Sequence, residues 1–116
     1  MSQMGVGMVR LRSLVLEIEN AAGGVVLVDE IENGLHYSVM GRVWEALAAA
    51  ARQSDTQIFA TTHSFECIRA AHEAFLAKDK YDFRLHRLER NDSGIRAVTY
   101  DSKMLSAAMA SDFEVR

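Results

Sequence analysis

Apolar positions Met4, Met8, Leu11, Val15 and Ile18 recur at helical spacing and predict an amphipathic helix from about Gly7 to Asn20. Gly23-Gly24 breaks that pattern and supplies a turn. Val25-Val26-Leu27-Val28 is short, apolar and mostly β-branched, the composition of a strand buried on both faces in a parallel sheet. The polar run Asp29-Glu30-Ile31-Glu32-Asn33-Gly34 reads as the loop that follows it. Val39, Val43, Leu47 and Ala50 mark a second helix over about Ser38 to Gln53, with Ser38 as its expected N-cap.

Gln57-Ile58-Phe59-Ala60-Thr61-Thr62 predicts a second buried strand. Phe65, Ile68, His72 and Phe75 mark a third helix that Ser64 would cap. Tyr81–Arg90 and Ile95–Tyr100 then read as two strands around the hairpin signal Asn91-Asp92-Ser93-Gly94. A last helix, Ser102–Ala110, would start from an Asp101 cap. Alternation of helices and strands predicts an α/β fold with a parallel sheet covered by helices, its edge extended by the late hairpin.

At 116 residues the chain is enough for one compact domain, and 49% hydrophobic with 25% charged residues is an ordinary globular balance. A formal net charge of -3 excludes a global field that recruits nucleic acid, and Arg84, Arg87 and Arg90 read as a solvated strand edge. The single cysteine, Cys67, excludes an internal disulfide framework and lies in an apolar helical stretch, as expected of a buried reduced thiol in a cytoplasmic protein. No apolar run approaches the ~20 residues of a membrane helix, and the N-terminus carries no signal-peptide pattern.

The candidate chemistry lies at the strand ends. Open α/β sheets bind ligands beyond the carboxyl ends of their strands, where Asp29 and Glu30 fall. Two adjacent carboxylates at the edge of an apolar core are compensated by a hard cation such as Mg²⁺. Side chains that alternate along an extended backbone allow one to address the metal and its neighbour a water. A solvated acidic loop is an equally good reading of that pair alone. The second strand changes the balance, because Thr61-Thr62-His63-Ser64 brings hydroxyls and an imidazole to the same edge, and His63 there can donate to a phosphate oxygen. His36, His72, His86 and Cys67 lack zinc-ligand spacing. His72 reads as packing, His86 as a strand residue, His36 as either exposed or at a partner subunit. Trp44 reads as core, Glu66 as a helix-dipole partner and Glu32 as solvated.

Val25-Val26-Leu27-Val28-Asp29-Glu30 resembles a Walker B strand of the ATP-binding-cassette type. Glu30-Ile31-Glu32-Asn33-Gly34-Leu35-His36 resembles the D-loop of AAA-domain ATPases related to the overcoming-lysogenization-defect and chromosome-maintenance families. Ala60-Thr61-Thr62-His63-Ser64 resembles their switch-histidine loop, and Gly5-Val6-Gly7-Met8-Val9-Arg10 a divergent signature motif. The order and spacing agree from Gly5 to about Ala70. The resemblance implies a P-loop NTPase-like fold of the ABC type and Mg²⁺-dependent ATP hydrolysis. It implies that Asp29 holds Mg²⁺ through water, that Glu30 polarises the attacking water and that His63 contacts the γ-phosphate. Asn33 and Gly34 would lie at the interface of a nucleotide-sandwich homodimer, and Gly5 and Gly7 would face the nucleotide of the opposite subunit across a helix N-terminus.

Two features depart from the family pattern. Gly5 stands where the signature serine is expected, and no G-x-x-x-x-G-K-[ST] loop occurs in the sequence. Residues 1–116 are therefore expected to be the C-terminal part of an ABC-type domain, inactive in isolation, self-associating through uncovered sheet, and active within a complete dimerising domain. The alternative is a non-catalytic interaction module on a truncated or degenerate ATPase fold. A metal-dependent nuclease using Asp29, Glu30 and Glu32 ranks last, since no lysine or further acidic cluster marks the other strand ends. Related ATPases serve DNA transactions, phage defence and toxin control, so a nucleic acid or a defence partner would be reached through the complete protein, with no membrane involved.

Overall fold

The computed structural model describes residues 3–78 and 81–110. Helix α1 (Gln3–Asn20) leads into strand β1 (Val25–Val28). A single 3-10 turn (Tyr37–Val39) precedes α2 (Met40–Ser54), then β2 (Gln57–Ala60) and α3 (Phe65–Leu76). Strands β3 (Leu85–Asn91) and β4 (Gly94–Tyr100) and helix α4 (Ser102–Ala110) complete the described chain.

β1 and β2 pair in parallel, Val25 opposite Gln57 through Val28 opposite Ala60. β-Branched residues favour this extended backbone, and Gly23, at φ 79, turns the chain out of α1 into it. The Gly23 amide donates to Ser54 O and the Gln57 amide to Gly24 O, so the two strands enter the sheet side by side. Buried Thr56 secures the same end, its hydroxyl donating to Ile18 O at 3.1 Å.

Only one face of this pair is covered. Val26 and Val28 are buried with Leu14 and Ile18 of α1, Met40, Val43, Leu47 and Ala50 of α2, Ile31 and Cys67. Val25 and Leu27 on the other face are 54% and 76% exposed, and Phe59 beside Leu27 is 49% exposed. The expectation of strands buried on both faces is thus corrected: all the described helices that pack on the pair lie on one side. Met8 is likewise exposed, whereas Leu14 carries the α1 contact; the side chain of Met4 lies outside the described residues.

The hairpin is a second correction. β3 and β4 pair antiparallel with each other, from Leu85 opposite Tyr100 to Asn91 opposite Gly94, as a separate two-stranded sheet that does not extend β1–β2. Its turn forms as the sequence predicts, with Asn91 Oδ1 accepting the Ser93 amide and Gly94 at φ 128. A bidentate pair between Arg52 and Asp82, at 3.0 and 2.6 Å, ties the approach to β3 onto α2. Phe75 and Phe83 stack at 5.2 Å between ring centres beside it. Helix α4, capped by Asp101 Oδ1 on the Met104 amide, buries Leu105 and Ala108 against Ile68. His72 is buried, as packing requires, between Tyr81 Oη at 2.8 Å and Ser106 Oγ at 3.1 Å.

Helix starts differ in one place. Ser64 caps α3 as expected, accepting the Cys67 amide at 3.1 Å. Ser38 does not cap α2; it sits inside the 3-10 turn, and His36 Nδ1 accepts its amide at 3.2 Å. That contact caps the 3-10 turn, and α2 itself begins at Met40 after Val39, with no side-chain cap.

Candidate functional site at the carboxyl ends of the parallel strands

The parallel pairing delivers Asp29, Glu30 and the 61–64 segment to one edge. Beyond the strands the two chains stay bonded, the Thr61 amide donating to Val28 O at 2.9 Å and the Ile31 amide to Thr61 O at 3.0 Å. The Thr61 hydroxyl lies between the acidic pair. It donates to Asp29 Oδ1 at 2.5 Å and accepts the Glu30 amide at 2.8 Å. The arrangement uses one lone pair and the single proton of that hydroxyl. It fixes one oxygen of Asp29, an exposed residue.

Glu30 is exposed and has φ 49, a left-handed backbone that side chains other than glycine and asparagine rarely adopt. Such a conformation turns the chain sharply at the strand end. The chain then folds back in tight turns, the Asn33 amide donating to Glu30 O at 2.9 Å and the Leu35 amide to Glu32 O at 3.0 Å. Asn33 and Gly34 are exposed at the tip, and Gly34 at φ 79 occupies a position suited to glycine.

Glu32 is not solvated, contrary to the reading from sequence. It is half-buried; one carboxylate oxygen accepts the Thr62 hydroxyl and the other the His63 amide at 3.3 Å. The Thr62 hydroxyl in turn accepts the Ser64 amide at 3.0 Å. His63 is thereby carried on a loop whose backbone is held from the Asp29–Glu32 side, with its own residue exposed. Neither Thr61 nor Glu32 was singled out by motif spacing for these contacts. The signal for them was the Thr61-Thr62 doublet at a strand end opposite three carboxylates.

α1 begins at Gln3, so Gly5 and Gly7 lie within the helix instead of ahead of it. A Cβ added at Gly7 would stand 3.6 Å from Leu35 Cδ2 in the loop after β1, an ordinary contact. Cys67 is fully buried, and burial pushes its thiol up, so it stays protonated and inert under the site.

The donor set suits a hydrated hard cation better than a dedicated cage. Among the described residues no group of three or more His, Cys, Asp or Glu side chains could hold a metal ion. One exposed carboxylate, anchored through a single oxygen, matches the way Mg²⁺ is held by one or two carboxylates with waters and substrate phosphates completing its shell. A groove of about 440 Å³ beside the loop is lined by Glu32, Leu35, Tyr37, Met40, Ser64 and Glu66. Among the described residues no helix is long and apolar enough to cross a membrane.

The fold has a known counterpart. A solved SMC ATPase structure, described in terms of ATP-driven dimerization and DNA-stimulated activation, superposes with a TM-score of 0.57 at 15% sequence identity, over 89% of this chain and 58% of that one. The chain thus spans just over half of that chain's length, and the likeness establishes a P-loop NTPase-like, ABC-type α/β fold. No curated protein sequence matches the chain. The family described as "AAA domain, putative AbiEii toxin, Type IV TA system" matches residues 1–69. That match takes in α1, both parallel strands and every residue of the strand-end site, and, spanning more than half of the 116 residues, it makes the chain a member of this AAA-domain family.

Proposed function

We propose that the chain forms the C-terminal part of an ABC-type ATPase domain and contributes Asp29, Glu30 and His63 to Mg²⁺-dependent ATP hydrolysis. The observation that carries this reading is the Thr61 hydroxyl, which joins Asp29 Oδ1 to the Glu30 amide at the carboxyl edge of two parallel strands. Membership of the AAA-domain family and the ABC-type fold support it.

In this reading Mg²⁺, when bound, neutralises charge developing on the transferred phosphoryl group. Asp29 would hold the hydrated cation through water. Glu30 accepts a proton from the attacking water and orients it along the line of displacement. His63 donates to a γ-phosphate oxygen from the neighbouring loop. The nucleotide cradle comes from residues outside those described, since no phosphate-binding loop motif occurs in the sequence. Asn33 and Gly34, exposed at the loop tip, and Gly5 and Gly7, in the N-terminal part of α1, are the groups that meet a second subunit and its nucleotide in a dimer. The work coupled to hydrolysis would be reached through that dimer, with DNA or a toxin–antitoxin partner as the classes suggested by the relatives.

Titration of the full-length protein with ATP and Mg²⁺ tests this reading, with Glu30→Gln as control. Turnover that needs Mg²⁺ and falls by roughly a hundredfold or more in Glu30→Gln, with ATP still bound, supports it. ATP binding and turnover both absent from the wild type would instead assign the fold to the non-catalytic interaction module.

A further inference from the structure

We propose that Glu32 is a positioning residue, through which the loop carrying Asn33 and Gly34 sets the place of His63. The proposal rests on the ATPase reading above for its functional meaning, and on hydrogen-bond geometry for its structure.

The loops after β1 and β2 meet in two tiers. The inner tier is backbone and Thr61: it holds Asp29, Glu30 and Ile31. The outer tier is built on Glu32, whose two carboxylate oxygens take the Thr62 hydroxyl and the His63 amide. Among the hydrogen bonds described, Glu32 is the side chain that reaches from the first loop to the residue bearing the imidazole. The same residue closes the turn at the loop tip, its carbonyl accepting the Leu35 amide at 3.0 Å. One residue therefore terminates the Asn33–Gly34 turn through its backbone and holds the 62–63 backbone through its side chain.

The chemistry explains why a carboxylate is needed. The Thr62 hydroxyl already accepts the Ser64 amide, so its proton must go to an acceptor, and the His63 amide needs a second acceptor nearby. A carboxylate supplies both. A glutamine supplies one oxygen and an NH2 group that repels one of the two donors. Ser64 starts α3 by capping the Cys67 amide. The chain of contacts from the loop tip thus runs through Glu32 and Thr62 to the N-cap of α3. A displacement of the tip by a partner subunit shifts the His63 backbone with it, while the Asp29 carboxylate is held separately by Thr61.

Amide resonances of the isotope-labelled full chain test the contact without reference to catalysis. In Glu32→Ala the amides of Thr62, His63, Asn33 and Gly34 move together, and exchange at His63 quickens roughly threefold to tenfold. Glu32→Gln moves them part of the way. Glu66→Gln, on the same groove but bonded only to the Ser64 hydroxyl among the contacts described, leaves them in place. In the full-length protein, ATP turnover gives the second readout. Glu32→Ala lowers kcat by roughly tenfold with KM for ATP changed by less than about threefold, and Glu32→Gln restores part of it. A folded Glu32→Ala variant with an unmoved His63 amide overturns the proposal, and so does a fall in kcat matched by Glu66→Gln. If Glu32→Ala fails to fold, Thr62→Val and Glu32→Gln carry the same comparison. A wild type without turnover defeats the ATPase reading but leaves the resonance result to decide the contact.

Discussion

The Thr61 hydroxyl donates to Asp29 Oδ1 at 2.5 Å, across the open end of the parallel pair, and so ties a carboxylate of one strand to the last bonded residue of the other. That bond is charge-assisted and lies at an exposed position, where water competes for both partners.

Removing it should therefore cost function more than stability. Thr61→Val deletes the donor to Asp29 and the acceptor for the Glu30 amide. We expect the unfolding midpoint to drop by an amount equivalent to about 0.5–1.5 kcal/mol, the usual net worth of a hydrogen bond. ATP turnover of the full-length protein should fall by roughly tenfold or more, with Thr61→Ser close to wild type. Equal turnover in Thr61→Val and wild type, read beside denaturant curves, would detach Thr61 from the site.

Glu30 holds a left-handed backbone against its side chain's preference. A non-glycine residue pays about 1–2 kcal/mol there, and glycine returns about 0.5–1 kcal/mol of that through its freer unfolded chain. Glu30→Gly is expected to stabilise the fold by about 0.5–1 kcal/mol in urea denaturation while abolishing turnover. A stabilised, inactive variant is the signature of strain kept for function; a destabilised one would show that the Glu30 side chain makes contacts that outweigh the strain.

His72 provides the pH dependence. Burial lowers its pKa from the ordinary histidine value. The unfolded chain then binds the proton more readily than the folded one, so stability is fully present above about pH 6.5 and declines as pH falls toward the lower, folded value. Protonation also places a second N–H where one ring nitrogen accepts, from Tyr81 or from Ser106. Melting temperature should fall between pH 7.5 and 5.5, and His72→Gln, less stable at neutral pH, should show a shallower fall. Parallel pH profiles in the two proteins would place the titration elsewhere. Tyr81, pushed up to about 12 by burial, stays protonated throughout this range.

The uncovered face of the sheet makes a prediction about association. Val25, Leu27 and Phe59 form an exposed apolar strip beside two strand edges, the combination that invites pairing. Sedimentation of the chain should show concentration-dependent self-association. Leu27→Lys should suppress it with little loss of stability, because Leu27 is 76% exposed. A monomer at high concentration, or a Leu27→Lys variant that associates as before, counts against this.

Much of the fold was legible because its signals are local. Helical spacing in Val39, Val43 and Leu47, β-branching in Val25–Val28 and the Asn91–Gly94 turn each report on a few consecutive residues. Ser64 and Asp101 announced their caps in the same way. What spacing could not supply was the environment of an element. Val25 and Leu27 are as apolar as Val26 and Val28, and only the absence of a packing layer among the described residues distinguishes them. The hairpin's independence from the parallel pair is equally a matter of what lies beside it. At the site, Asp29, Glu30 and His63 were legible from type and position. The contacts of Thr61, Thr62 and Glu32 join residues about thirty apart, a relation that exists only once the strands have paired.

That pairing has a topological consequence. Val25 lies opposite Gln57, and all of α2 is threaded between them. Closing such a loop costs entropy before any contact repays it. Asp29 and His63 become neighbours in one site only through that closure. A cut anywhere in α2 would divide the acidic pair from the imidazole, and neither piece would carry a usable fraction of the chemistry.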